Sequence, residues 1–155
     1  MRRIVLLLTA MLLATTEAWA LAVCTVSTSG VAFGSFNPLP GLSADTTGTI
    51  SVTCTGVALT SANYTITIAS GLGSFIARKM VSGSNNLTYN LYKDSALIQV
   101  WGDGSGSTFT VSDSVTIPLS LSITKNYMVY SRIAGGQNTA KAGTYSDNLL
   151  VTISY

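Results

Sequence analysis

The stretch Asp147-Asn-Leu-Leu-Val-Thr-Ile-Ser-Tyr155 closes the chain. Leu149, Val151, Ile153 and Tyr155 alternate with Leu150, Thr152 and Ser154, which is the two-residue period of a strand with one buried face. Val, Ile, Thr and Tyr also suit a pleated, half-buried surface. Chain ends ordinarily fray. A regular strand running to the last residue therefore implies a neighbour that holds it, and the residues alone leave open whether that neighbour belongs to this chain.

The same alternation recurs upstream. Ile50, Val52 and Cys54 point one way while Ser51 and Thr53 point the other. Tyr64, Ile66 and Ile68 repeat the pattern, as do Leu87, Tyr89 and Leu91. A fourth run places Val115, Ile117, Leu119, Leu121 and Ile123 on one face, and Pro118 within it predicts a sheet edge or a bulge. Turn-forming clusters separate the runs: Asn37–Gly41, Ser82–Asn86, Gly102–Ser107 and Ala134–Asn138. No stretch keeps a helical period. Short strands at this spacing predict an all-β antiparallel sandwich, one domain spanning residues 21–155.

Residues 1–20 are set apart as a secretory signal peptide. Arg2 and Arg3 precede an apolar run from Ile4 to Ala14, and Ala18-Trp19-Ala20 is a small-x-small cleavage site. No later stretch reaches the ~18 apolar residues that a spanning helix requires. The exported part carries Arg78, Lys79, Lys93, Lys125, Arg132 and Lys141 against Asp45, Asp94, Asp103, Asp113 and Asp147, scattered along the chain. Charges so balanced give no electrostatic footprint for nucleic acid or an anionic membrane. Cys24 and Cys54, an even pair in an exported chain, predict a disulfide between the first strand and the second.

The sequence is poor in catalytic chemistry. It contains no histidine, so the commonest general base and metal ligand is missing. No serine sits in a G-x-S-x-G elbow. Trp101–Ser107 offers oxygen atoms, but one carboxylate, Asp103, falls short of a calcium loop and reads as a tight turn. No enzyme, metal site or cofactor is expected. Trp101, Tyr127 and Tyr130 could form a stacking surface for a carbohydrate, or else pack inward.

Several stretches together resemble the spore coat protein U domain, the fold of archaic chaperone–usher pilus subunits. They are Cys24–Pro38 ("CTVSTSGVAFGSFNP"), Gly48–Cys54, Gly73–Met80, Leu87–Asp94, Val100–Gly106 and Val129–Tyr155, in the expected order. Ser131 stands where the family pattern leads one to expect glycine. The resemblance implies an immunoglobulin-like sandwich that lacks its final strand, with an open groove along the C-terminal strand. It implies that Leu149, Val151, Ile153 and Tyr155 form the edge docked first by a periplasmic chaperone and then by a donor strand from a neighbouring subunit. The implied partners are that chaperone, an outer-membrane usher and other subunits, and the implied location is the cell surface or beyond, reached through the periplasm.

Cleavage after Ala20 would leave Leu21-Ala22-Val23 ahead of Cys24, about 10 Å of extended chain. That is too short to donate a strand. The expectation is a subunit that accepts a strand and gives none, at a fibre tip, or a stand-alone secreted coat or matrix protein.

Overall fold

β-Branched and aromatic residues alternating with Ser and Thr drive the chain into strands. A computed structural model describes residues 22–39 and 41–155; the stretch assigned to the signal peptide lies outside them. Among the described residues there are eight strands and no helix. They are β1 (Ala22–Thr28), β2 (Ala44–Gly56), β3 (Ser61–Ile68), β4 (Arg78–Ser82), β5 (Asn85–Tyr92), β6 (Val111–Thr116), β7 (Ser122–Ile133) and β8 (Val151–Ser154).

The strands form two antiparallel sheets, ordered β1-β2-β7-β5-β4 and β6-β3-β8. Their inner faces make the core of an immunoglobulin-like sandwich. Ile50, Val52 and Cys54 of β2, Leu87, Tyr89 and Leu91 of β5, and Val129 and Ile133 of β7 come from the larger sheet. They meet Tyr64, Ile66 and Ile68 of β3 and Val115 of β6. All are buried, and each apolar side chain so buried contributes roughly 1.5–3 kcal/mol. Trp101 is fully buried among them, its indole N–H donating to the Ile66 carbonyl at 3.1 Å. That removes Trp101 from any carbohydrate-stacking surface.

The run from Val115 to Ile123 is not one strand. It splits at Pro118 into the end of β6 and the start of β7, which lie in different sheets. Pro118 has no N–H to donate to a ladder, and the Leu121 amide turns back to its carbonyl at 2.9 Å. Leu121 adopts the left-handed conformation, φ 65°. Val115 and Ile117 are buried as expected, but Leu119 and Leu121 project into solvent. The predicted edge or bulge is thus a crossover between sheets.

Two contacts steer the chain from β7 to β8. The Gln137 side-chain amide pairs with the Thr88 backbone, accepting from its N–H at 2.7 Å and donating to its carbonyl at 2.8 Å, where β7 no longer accompanies β5. Ser146 and Val81 then exchange two backbone hydrogen bonds, 2.9 and 3.1 Å, along the outer edge of β4. From there the chain crosses to the smaller sheet and joins β3 as β8.

Candidate docking groove

Among the described residues β8 is paired on one side only. Val151 lies opposite Ile68 and Ile153 opposite Ile66, and the Leu150 carbonyl accepts from Ala69 N–H at 2.9 Å. Leu149, Val151 and Ile153 turn inward and are half-buried against the core, while Leu150 is exposed. The other edge of β8 faces β1, the outermost strand of the opposite sheet, close by in space. No ladder joins them among the described residues. A strand edge of this kind presents unpaired N–H and C=O groups.

A cavity of about 360 Å³ opens between the sheets at the start of this edge. Its walls are Val31 and Phe33 from the segment after β1, Ile50, Tyr89 and Val129 from the larger sheet, and Ile68, Leu149 and Val151 from the smaller one. Phe33 holds its place edge-on to Tyr89, with ring centroids 6.1 Å apart. Thr28, Thr49, Ser146 and Asn148 add polar groups to this lining, and Asp147 brings a carboxylate. Its Oδ2 accepts from the Tyr89 hydroxyl at 2.9 Å, while Oδ1 is buried with no partner among the described residues. Burial and this contact push the Tyr89 phenol well above its ordinary pKa. Gly71 (φ 66°) backs the carboxylate; a Cβ there would come within 2.5 Å of Oδ2 and 2.4 Å of Leu149 Cδ2.

Behind the cavity lies a fully buried arginine. Arg78 donates to the carbonyls of Ala69 at 3.0 Å and Trp101 at 2.7 Å, and to Asn90 Oδ1 at 2.6 Å. The Phe75 ring packs 5.6 Å from its guanidinium carbon. Burial holds its pKa below the ordinary value, with Tyr89 and Asp147 pulling the other way. The guanidinium stays charged regardless, and it ties β4 to the end of β3 across the sandwich.

Near the other end of β3 a polar chain runs along the surface. Tyr64 and Tyr127 share a short hydrogen bond, Tyr127 donates to Asp113 Oδ2 at 2.7 Å, and Lys125 Nζ meets the same oxygen at 2.8 Å. Lys125 first, then Tyr127, pull the Asp113 carboxyl down to about 2. Tyr155 lies past the end of β8 beside Tyr64 and Asp113, 59% exposed. It was expected on the inward face, but the β8 ladder stops at Ser154 opposite Thr65, so nothing turns its ring inward.

Cys24 and Cys54 form the expected disulfide, within one sheet. They stand directly opposite in the β1–β2 register, with Cα atoms 4.0 Å apart. Asp103 is occupied by its own turn, accepting from Ser105 N–H at 2.9 Å and Oγ at 2.6 Å. Among the described residues no three of His, Cys, Asp or Glu gather as metal ligands would. Sequence reading missed Arg78 and Asp147. Both are charges that composition assigns to the surface, and only the fold brings them inward.

The family model of the Spore Coat Protein U domain matches residues 8–152. Among solved structures, the chain is similar to one in the CsuC–CsuE chaperone–tip adhesion subunit pre-assembly complex from archaic chaperone–usher Csu pili of Acinetobacter baumannii. The TM-score is 0.57 at 22% identity over 87% of this chain, a likeness of fold. The match spans 40% of that chain, less than half its length. No curated protein matches the sequence.

Proposed function

Because the chain belongs to the Spore Coat Protein U domain family, we propose that it is a fimbrial-type subunit of the archaic chaperone–usher class, structural and adhesive, with no catalytic role. It is exported through the periplasm, held there by a chaperone, handed to an usher and carried to the cell surface. Leu149, Val151, Ile153 and Tyr155 mark the edge on which the chaperone, and then a neighbouring subunit's strand, docks. The observation that carries this reading is the edge of β8 left without a ladder partner among the described residues, beside a cavity walled largely by apolar side chains. An added strand would pair with β8 through its backbone and fill the cavity with alternate side chains.

The opposite pole supports the adhesive part. Val57, Leu59, Leu119 and Leu121 are all more than half exposed there, on two turns joined by the Leu59 amide and the Ile117 carbonyl at 2.7 Å. Leu59 and Leu121 both hold left-handed backbone conformations, which cost a side-chain-bearing residue free energy.

Co-expression with a periplasmic chaperone tests the proposal. Wild-type protein should copurify with the chaperone, and the double substitution Val151→Asp with Ile153→Asp should abolish capture. A monomer that is stable alone and ignored by every chaperone would instead favour a stand-alone secreted coat or matrix protein.

A further inference from the structure

The smaller sheet has a second outer edge, at β6. Among the described residues no strand pairs with β6 on the side away from β3. On the larger sheet, residues 122–129 of β7 pair with β2 alone, because β5 accompanies only the last part of β7. The sandwich therefore has two seams between its sheets, one where β8 faces β1 and one where β6 faces the first half of β7. Apolar side chains largely wall the first. Charges close the second.

On β6, the Ser114 N–H donates to Asp113 Oδ1 at 2.7 Å, and the Ser114 carbonyl accepts from Lys125 Nζ at 3.0 Å. Lys125 also meets Asp113 Oδ2 at 2.8 Å. Just before β6 begins, the Thr110 carbonyl accepts from Lys93 Nζ at 3.2 Å, and the same ammonium lies 5.7 Å from the Phe109 ring centre. Alternate residues of an antiparallel strand turn their backbone groups to the same side, so Thr110, Ser112 and Ser114 together present the outer edge. Both lysines reach it from the larger sheet, Lys125 from β7 and Lys93 from the residue after β5.

A bare strand edge is a template for another copy of the same chain. Two copies pairing antiparallel about Ser112 would set Thr110 of each opposite Ser114 of the other, and so Lys93 against Lys125. Like charges would meet across the new ladder, and both ammonium groups would have to leave their carbonyls or be buried. The Lys125–Asp113 pair is about a third exposed, where an ion pair adds little to stability. Its place on the edge gives it a separate use.

Resting on the groove reading for β8 alone, we propose that Lys93, Lys125 and Asp113 close β6 to strand addition: two copies of this chain do not pair edge to edge there, and a strand enters the smaller sheet only at β8.

The test compares the exported protein with the triple variant Lys93→Met, Asp113→Thr and Lys125→Met. Sedimentation equilibrium measures self-association, and hydrogen exchange at low and high protein concentration locates the contact. The triple variant should self-associate at least about tenfold more tightly than wild type, with concentration-dependent protection of the Ser112 amide. Lys93→Arg with Lys125→Arg, which keeps the charges, should associate no more than wild type. Should the triple variant misfold, Lys93→Met with Lys125→Met keeps both aliphatic stems and Asp113, and should protect Ser112 with a smaller gain in association. Association and Ser112 exchange that match wild type would overturn the inference. So would a gain whose protection falls on β8, or an arginine variant that associates as tightly as the methionine ones. Neither measurement uses a donor strand, so the closure of β6 can fail while the groove stands, and the reverse.

Discussion

The Arg78 guanidinium donates to the Trp101 main-chain carbonyl at 2.7 Å with no part of its side chain exposed. The same group reaches Ala69 and Asn90, so one cation bonds to chain segments far apart in sequence. Removing it leaves several buried acceptors unpaired at once, each costing about 1–3 kcal/mol. Arg78→Met should lower the urea midpoint by the equivalent of about 3 kcal/mol or more. Arg78→Lys should recover little, since an ammonium cannot reproduce the planar fork. A midpoint within about 0.5 kcal/mol of wild type, the range of ordinary surface changes, would refute the stapling role.

The Cys24–Cys54 bridge closes a loop of sequence separation 30 and anchors β1, which borders the groove. Restricting the unfolded chain over such a loop contributes about 3–4 kcal/mol. Replacing both cysteines with alanine should lower stability by about that amount in denaturant titrations. It should also raise hydrogen exchange in β1 more than in β7. An unchanged titration curve would contradict both expectations.

Asp113 gives a pH signature. Its folded-state pKa, about 2, lies below the ordinary 3.8. Its contribution is therefore fully present above the ordinary value and is lost as pH falls through about 2. Because Lys125 and Asp113 are both about a third exposed, the effect is modest. Thermal melts of wild type should fall more steeply with acidification across this window than those of Asp113→Asn. Parallel curves would show that the Lys125–Tyr127–Asp113 contacts add nothing.

Much of the fold was legible because alternation reports a half-buried face directly. Ile50, Val52 and Cys54, like Tyr64, Ile66 and Ile68, lie buried where the period put them. The misreading at Leu119 and Leu121 has a physical cause. The period-two pattern continues through the Pro118 turn by chance, and only the change of sheet reveals that the two halves face different neighbours. Tyr155 failed for a related reason, since alternation says nothing about where a ladder stops.

The groove was half legible. Leu149 and Val151 announced one wall, but the opposite wall, with Tyr89 and Val129, reads as ordinary core. Asp147 was invisible because its burial depends on Tyr89 and Gly71, both remote in sequence. Charged side chains are assigned to the surface by default. Arg78 escaped notice on the same ground.

The most direct test of the open groove is the melting temperature of a self-complemented protein, with an alternating apolar segment joined to Tyr155 by a flexible linker that lets it turn back along β8. Tethering keeps the segment at high effective concentration. Filling the groove with several apolar side chains at roughly 1.5–3 kcal/mol each should raise Tm by about 10 °C or more. The gain should vanish when the segment is shuffled to break its alternation. A fusion that melts with the unmodified chain, or equally with its shuffled control, would contradict the existence of a groove that accepts a strand.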